Sequence, residues 1–243
     1  MRSVLSGRFR ACIVACVTAV AAVAAQAEER ACFGAASFGG PIGELRLMRV
    51  ASPGPRVHFI GDKYLETGKG CPSADKSCEQ KSFLVPGDEV IANAPEGDFA
   101  CASYRGAKGP ESTGYLPLKA LEPVQLPAAK LADWAGHWQR AEADIRITVA
   151  GGRLKVAGDA TWGAGDPQRV KNGGVHIGEI AGEATPSGNL LGLGDGYDGT
   201  GPLDSDNAFD CLARLRLFGR FLVVEDNGAC GGANVRFNGI YLK

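Results

Sequence analysis

Ala143-Asp144-Ile145-Arg146-Ile147-Thr148-Val149-Ala150-Gly151-Gly152-Arg153-Leu154-Lys155-Val156 is the stretch that decides the fold. Ile145, Ile147 and Val149 alternate with Arg146 and Thr148, and Leu154 and Val156 flank Lys155. A period of two places the apolar side chains on one face, so each run reads as a half-buried β-strand. The Gly151-Gly152 pair between the runs reads as a hairpin turn. The same alternation returns at Leu215-Arg216-Leu217 and Val235-Arg236-Phe237, with Phe218-Gly219 and Asn227-Gly228 as further turns. Helix signals are almost absent, and 35 of the 243 residues are glycine, which interrupts the chain at short intervals. The expected class is all-β, and six or more strands in the second half point to a small antiparallel barrel or sandwich.

The N-terminus sets the expected compartment. Arg2, Arg8 and Arg10 precede an apolar run from Ala11 to Ala25, broken only by Thr18 and ending in Ala25-Gln26-Ala27. That layout predicts a cleaved secretory signal peptide over residues 1–27. The run is shorter than the ~20 apolar residues of a membrane span. Ile13-Val14-Ala15-Cys16 resembles a lipoprotein processing site, but the apolar run continues well past Cys16, so lipid anchoring is not expected. Export removes three arginines, taking Lys plus Arg from 26 to 23 against 27 Asp plus Glu. A mature charge of about −4 argues against nucleic acid or an anionic membrane as partner. It also leaves six cysteines, an even number that implies three disulfides in an oxidising compartment. The remaining chain divides into an N-terminal segment (28–40), a first domain (41–124), a Pro-containing linker (125–130) and a second domain (131–243).

The first domain carries Pro86-Gly87-Asp88 between two strand-like runs, then Gly97-Asp98-Phe99, then Thr113-Gly114-Tyr115-Leu116 before Leu121. In that order these pieces resemble a bacterial SH3-like domain, over about a third of the chain. The resemblance implies a small β-barrel with an aromatic groove for an extended peptide, and Phe99, Tyr104 and Tyr115 are the binding residues it nominates. Flat, stiff rings offer contact area at small entropic cost. The same three rings also suit a small barrel core.

Cys71 and Cys78 enclose a polar insertion, and a bridge between them would stabilise it by about 2–3 kcal/mol. Cys101 then pairs most simply with Cys32, tying down the N-terminal segment, and a Cys211–Cys230 bridge around the Phe218-Gly219 hairpin is worth about 3 kcal/mol. Six cysteines allow 15 connectivities, so the sequence leaves the pairing open. No Cys-x2-Cys pair or histidine cluster offers four metal ligands, and no metal or cofactor is expected.

The second domain opens with Trp134-Ala135-Gly136-His137-Trp138, whose Gly-x-Trp resembles the first strand of lipocalin- and avidin-like barrels. In either reading Trp134 and Trp138 anchor the core. Asn172-Gly173-Gly174 and the closing stretch from Asp226 to Tyr241 resemble an uncharacterised group of bacterial exported proteins that join an SH3-like domain to a β-rich tail, a resemblance that implies no particular activity. Gly194-Asp195-Gly196-Tyr197-Asp198-Gly199 matches the dinucleotide pattern in letters only. No strand-turn-helix surrounds it, Pro202 follows, and its aspartates repel a pyrophosphate. With Asp204, Asp206 and Asp210, the loop clusters the carboxylate oxygens that calcium favours, but the spacing fits no EF-hand loop. The expectation is a solvated recognition loop carrying Asp195, Tyr197, Asp198, Asp204 and Asp206.

His58, His137 and His176 lie apart in sequence, and neither Gly-x-Ser-x-Gly nor His-Glu-x-x-His occurs. The even cysteine count argues against a free nucleophilic thiol. The expected function is therefore non-enzymatic: a periplasmic or secreted bacterial module that binds a protein or peptide of the cell envelope. The alternative is an inhibitor or immunity protein acting on lysozyme or another wall-active enzyme, its acidic loop entering a basic cleft.

Overall fold

A computed structural model describes residues 31–34, 44–62, 64, 70–107, 110–204 and 209–243. The expected signal peptide, the rest of the N-terminal segment beyond 31–34, and Asp206 lie outside the described residues. The protein is all-β, built from antiparallel sheets. No helix among the described residues is long and apolar enough to cross a membrane.

The first half forms one seven-stranded sheet. Its strands are β1 (Arg46–Val50), β2 (Val57–Ile60), β3 (Glu79–Leu84), β4 (Glu89–Glu96), β5 (Phe99–Tyr104), β6 (Ser112–Pro117) and β7 (Leu121–Pro123), in the spatial order β3-β2-β6-β5-β4-β1-β7. Alternation assigns the faces. Val57, Phe59, Leu84, Val90, Ala92, Ala100, Ala102 and Leu116 gather in one cluster on one face. The other face carries Cys101 and Tyr115 at one place and Leu47 and Ile91 at another. The Pro86-Gly87-Asp88 turn forms between β3 and β4, closed by the Asp88 N–H on the Val85 carbonyl at 3.1 Å.

The second half runs as a meander. A short helix α1 (Leu131–Trp134) leads into β8 (Gly136–Arg140), β9 (Ala143–Ala150) and β10 (Arg153–Trp162). Helix α2 (Pro167–Lys171) precedes β11 (His176–Ala184), and β12 (Leu190–Leu193), β13 (Ala213–Phe218), β14 (Phe221–Asp226) and β15 (Gly239–Tyr241) follow. The strands pair in chain order as two four-stranded sheets, β8 to β11 and β12 to β15. Backbone bonds between Gln139 and Leu242 join β8 to the residue after β15. A second bridge, Gly178 to Gly231, joins β11 to the connection after β14. Between the sheets lies the main core, with Trp134 and Trp138 fully buried beside Ile145, Ile147, Leu154, Leu215, Leu222 and Phe237.

Two expected features of this half differ. Gly151-Gly152 and Gly219-Arg220 are two-residue turns, both glycines of the first pair having positive φ. Asn227-Gly228 instead opens the connection 227–238, because Cys230 is drawn to Cys211 and Gly231 to Gly178. Val235-Arg236-Phe237 is not a strand. Its alternation records burial alone: Val235 and Phe237 enter the core, and the Phe237 N–H bonds the Asp226 carboxylate in place of a neighbouring strand.

A third cluster couples the halves. Leu45, Leu47 and Ile91 of the first pack against Phe218, Phe221, Val223 and Ile240 on the outer face of the β12–β15 sheet. Val124, just before the expected linker, and Leu126 within it pack there too, and the Ala129 N–H bonds the Asn189 side chain at 3.0 Å. Three disulfides, Cys32–Cys101, Cys71–Cys78 and Cys211–Cys230, complete the covalent frame.

The Gly178–Gly231 approach gives a test. A Cβ on Gly178 would sit 2.4 Å from the Cys230 carbonyl oxygen and 2.8 Å from Gly231 Cα, both backbone atoms. Gly178→Ala is expected to lose about 2 kcal/mol or more in urea unfolding. Gly165→Ala, whose Cβ meets nothing closer than 3.7 Å, is expected to stay within about 0.5 kcal/mol of the parent.

Candidate functional site

The nominated aromatic trio divides across the first sheet. Phe99 and Cys101 lie on one face of β5, and Ala100, Ala102 and Tyr104 on the other. Tyr115, opposite Cys101 on β6, joins the Phe99 side. It is 1% exposed, and its hydroxyl donates to Glu96 Oε2 at 3.0 Å. Burial first, then that hydrogen bond and the Glu96 charge, hold the phenol well above its usual range. The Tyr104 hydroxyl reaches Asp88 Oδ1 at 3.3 Å and braces the Pro86-Gly87-Asp88 turn, while Asp88 Oδ2 accepts the Val85 N–H. Phe99, Tyr104 and Tyr115 therefore do not line one groove. A strand of period two turns residues 99 and 104 to opposite sides.

The acidic loop has a different character. The turns at 151–152 and 219–220 occupy one end of the second half, and the connections 163–175, 194–204 and 227–238 gather at the other. Asp195, Asp198 and Asp204 are exposed there. Asp198 Oδ1 accepts from both the Thr200 N–H at 2.8 Å and the Thr200 hydroxyl at 2.7 Å. The backbone bond is the main cause holding this carboxyl below its ordinary value. Tyr197 is half-buried and its hydroxyl donates to the Gly201 carbonyl at 3.0 Å; burial raises its pKa. The loop lies so close on β12 that a Cβ at Gly192 would stand 2.2 Å from the Gly199 nitrogen. The Cys211–Cys230 bridge ties the end of this connection to the next one.

Beneath the loop sits a charge pair that alternation alone does not reveal. Arg214 and Glu225 are register partners on β13 and β14, on the outer face that also bears Phe218 and Phe221. Both are buried, with Arg214 Nη2 3.2 Å from Glu225 Oε2. Arg214 Nη1 also lies 3.4 Å from the carbonyl oxygens of Gly199 and Gly201. The carboxylate contact is close but lacks hydrogen-bond alignment: Arg214 Nε and Glu225 Oε2 are buried without a hydrogen-bond partner. Burial thus outweighs the opposing arginine charge and pushes Glu225 from an ordinary 4.5 up to about 7.

A second feature of the same end is also new. The Arg169 guanidinium stacks 3.9 Å from the Trp162 ring centroid, with the His176 ring 5.3 Å away on the next strand. Val170 and Ile177 beside them are 56% and 69% exposed. The three histidines serve separate neighbours. His58 Nδ1 lies 2.9 Å from the Gln80 carbonyl, His137 Nε2 2.8 Å from Asp144 Oδ1, and His176 Nδ1 2.5 Å from the Ala233 carbonyl.

Two outcomes follow for the buried pair. Because the folded pKa of Glu225 lies above its ordinary value, its contribution to stability is full below about pH 4.5 and is lost as pH rises through about 7. Urea midpoints of the parent are expected to fall across that window relative to Glu225→Gln; parallel profiles would exclude titration of Glu225 there. Arg214→Leu, which strands a buried carboxylate at pH 8, is expected to cost about 3–5 kcal/mol, and Arg214→Leu/Glu225→Leu to recover most of it. Comparison with known proteins returned no matching family model, no matching curated protein and no matching solved structure.

Proposed function

We propose that this chain is an exported, non-enzymatic binding module of the bacterial cell envelope that recognises a protein through the long-loop end of its second half. The observation that carries the reading is the fixed acidic loop. Asp195 and Asp198 are presented to solvent from a segment tied down at Gly199 and Gly201 by Arg214 and at Gly201 by the Tyr197 hydroxyl. A loop ordered before binding loses little conformational freedom on association, which favours tight recognition. Three disulfides are consistent with work outside a reducing cytoplasm. Partners expected from the charge are basic proteins or peptides, not nucleic acid.

The aromatic groove of the SH3-like reading receives less support, since Tyr115 is buried and Tyr104 faces the other way. The inhibitor reading is the second one, and the same loop favours it. A rigid pair of aspartates suits the cationic cleft of an enzyme that acts on the cell wall.

Crosslinking in an envelope fraction is expected to capture a discrete partner with the parent chain. Asp195→Lys/Asp198→Asn is expected to weaken that association about tenfold or more, chiefly in a salt-dependent way. Capture that is indifferent to the charge change would remove the loop from the interface. For the second reading, the purified chain is added to lysozyme and to peptidoglycan hydrolases. Inhibition that disappears in the charge variant supports it, and full enzyme activity at saturating chain rejects it.

A further inference from the structure

The face that carries Phe99 and Tyr115 already has the N-terminal segment fastened to it through Cys32. Cys101, register partner of Tyr115, is joined to Cys32, which packs with Phe99 on the cluster of Ile60, Cys71, Cys78, Cys101 and Tyr115. The segment 31–34 has no regular secondary structure and is clasped from the side by Asp62. Asp62 Oδ2 accepts the Cys32 N–H at 3.1 Å, and Oδ1 accepts the Tyr64 N–H at 2.9 Å. The Phe33 ring stacks on Tyr64 with centroids 6.5 Å apart. Cys32 thus rests on the cluster that holds Tyr115, within a short peptide that one covalent bond fastens to β5.

We propose that residues 31–34 are a redox-operated latch: with Cys32 bonded to Cys101 they close the Phe99–Tyr115 face, and reduction of that bridge by a dithiol opens it. Cys32 is half-buried and Cys101 is buried, so the accessible sulfur is that of Cys32. A thiolate of the dithiol attacks Cys32 Sγ and forms a mixed disulfide, and Cys101 leaves as a thiolate that takes up a proton. The second thiolate of the reductant then closes on its own sulfur and releases the Cys32 thiolate, which is protonated in turn. Two electrons pass to the protein, and the dithiol ends as a disulfide. The segment is then held by noncovalent contacts, among them the Asp62 clasp and the Phe33–Tyr64 stack. Cys71 and Cys78 are both buried, which shields that bridge from the same attack, and Cys211–Cys230 lies in the other half. The latch is independent of the acidic loop, so it stands or falls separately from the recognition site proposed there.

The native, full chain provides the test. It is reduced in steps with dithiothreitol, its free thiols are alkylated, and its tyrosines are then nitrated with tetranitromethane and mapped by mass spectrometry. Nitration of Tyr115 is expected to rise about tenfold in step with alkylation of Cys32 and Cys101, while the emission of buried Trp134 and Trp138 stays unchanged. Cys32→Ser/Cys101→Ser is expected to show the same Tyr115 reactivity without reductant, and Cys71→Ser/Cys78→Ser to leave Tyr115 protected. Tyr115 that remains protected after Cys32 is alkylated overturns the proposal. So does reactivity that rises only with Cys71 alkylation or with loss of the tryptophan signal.

Discussion

One sheet buried on both faces is the constraint on which this structure depends. The inner side of β12–β15 fills the main core with Leu191, Leu215, Leu222 and Val224. Its outer side is covered at one end by Leu45, Leu47 and Ile91, and at the other by the segment 194–201. A strand in that position has nowhere to send a charged side chain. Arg214 and Glu225 can be accommodated only against each other and against loop carbonyls, because an isolated charge away from water is strongly unfavourable. The conformation of the acidic loop is thus a consequence of how the sheet beneath it is sealed. Removing the charges would leave the core intact and take away the reason for the loop to lie where it does.

The covalent frame follows a related logic. The segment around Cys32 and the polar insertion between Cys71 and Cys78 bury little apolar surface of their own. Their bridges supply order that packing does not. Cys211–Cys230 closes the gap between two connections that have no ladder between them. In each case at least one cysteine of the staple lies outside the strands.

Strand composition was legible wherever one face met water. Ile145, Ile147, Leu154 and Val156 alternate cleanly because Arg146, Thr148 and Lys155 are solvated, and their strands appear as read. The signal fails where both faces are buried or where neither is paired. Val235-Arg236-Phe237 alternates without joining a sheet, since Asp226 and Asn238 take over the backbone bonding there. Arg214 and Glu225 look like surface residues because their cover comes from a distant loop and from the other half of the chain. Phe99, Tyr104 and Tyr115 share a chemistry, and the parity of β5 separates them. The three disulfides join Cys32 to Cys101, Cys71 to Cys78 and Cys211 to Cys230, a pairing that an even cysteine count alone leaves open.

The grouping of every long connection at one end of the second half gives the molecule a polarity. The opposite pole is finished by the glycine turn at 151–152, where an added side chain would meet no neighbouring atom. A fluorophore or a tether to a solid support, attached at that turn, leaves the loops pointing outward and unobstructed. Such an orientation turns the protein into a probe that fishes with its acidic tip, and attachment near the Cys211–Cys230 pole blocks the same surface.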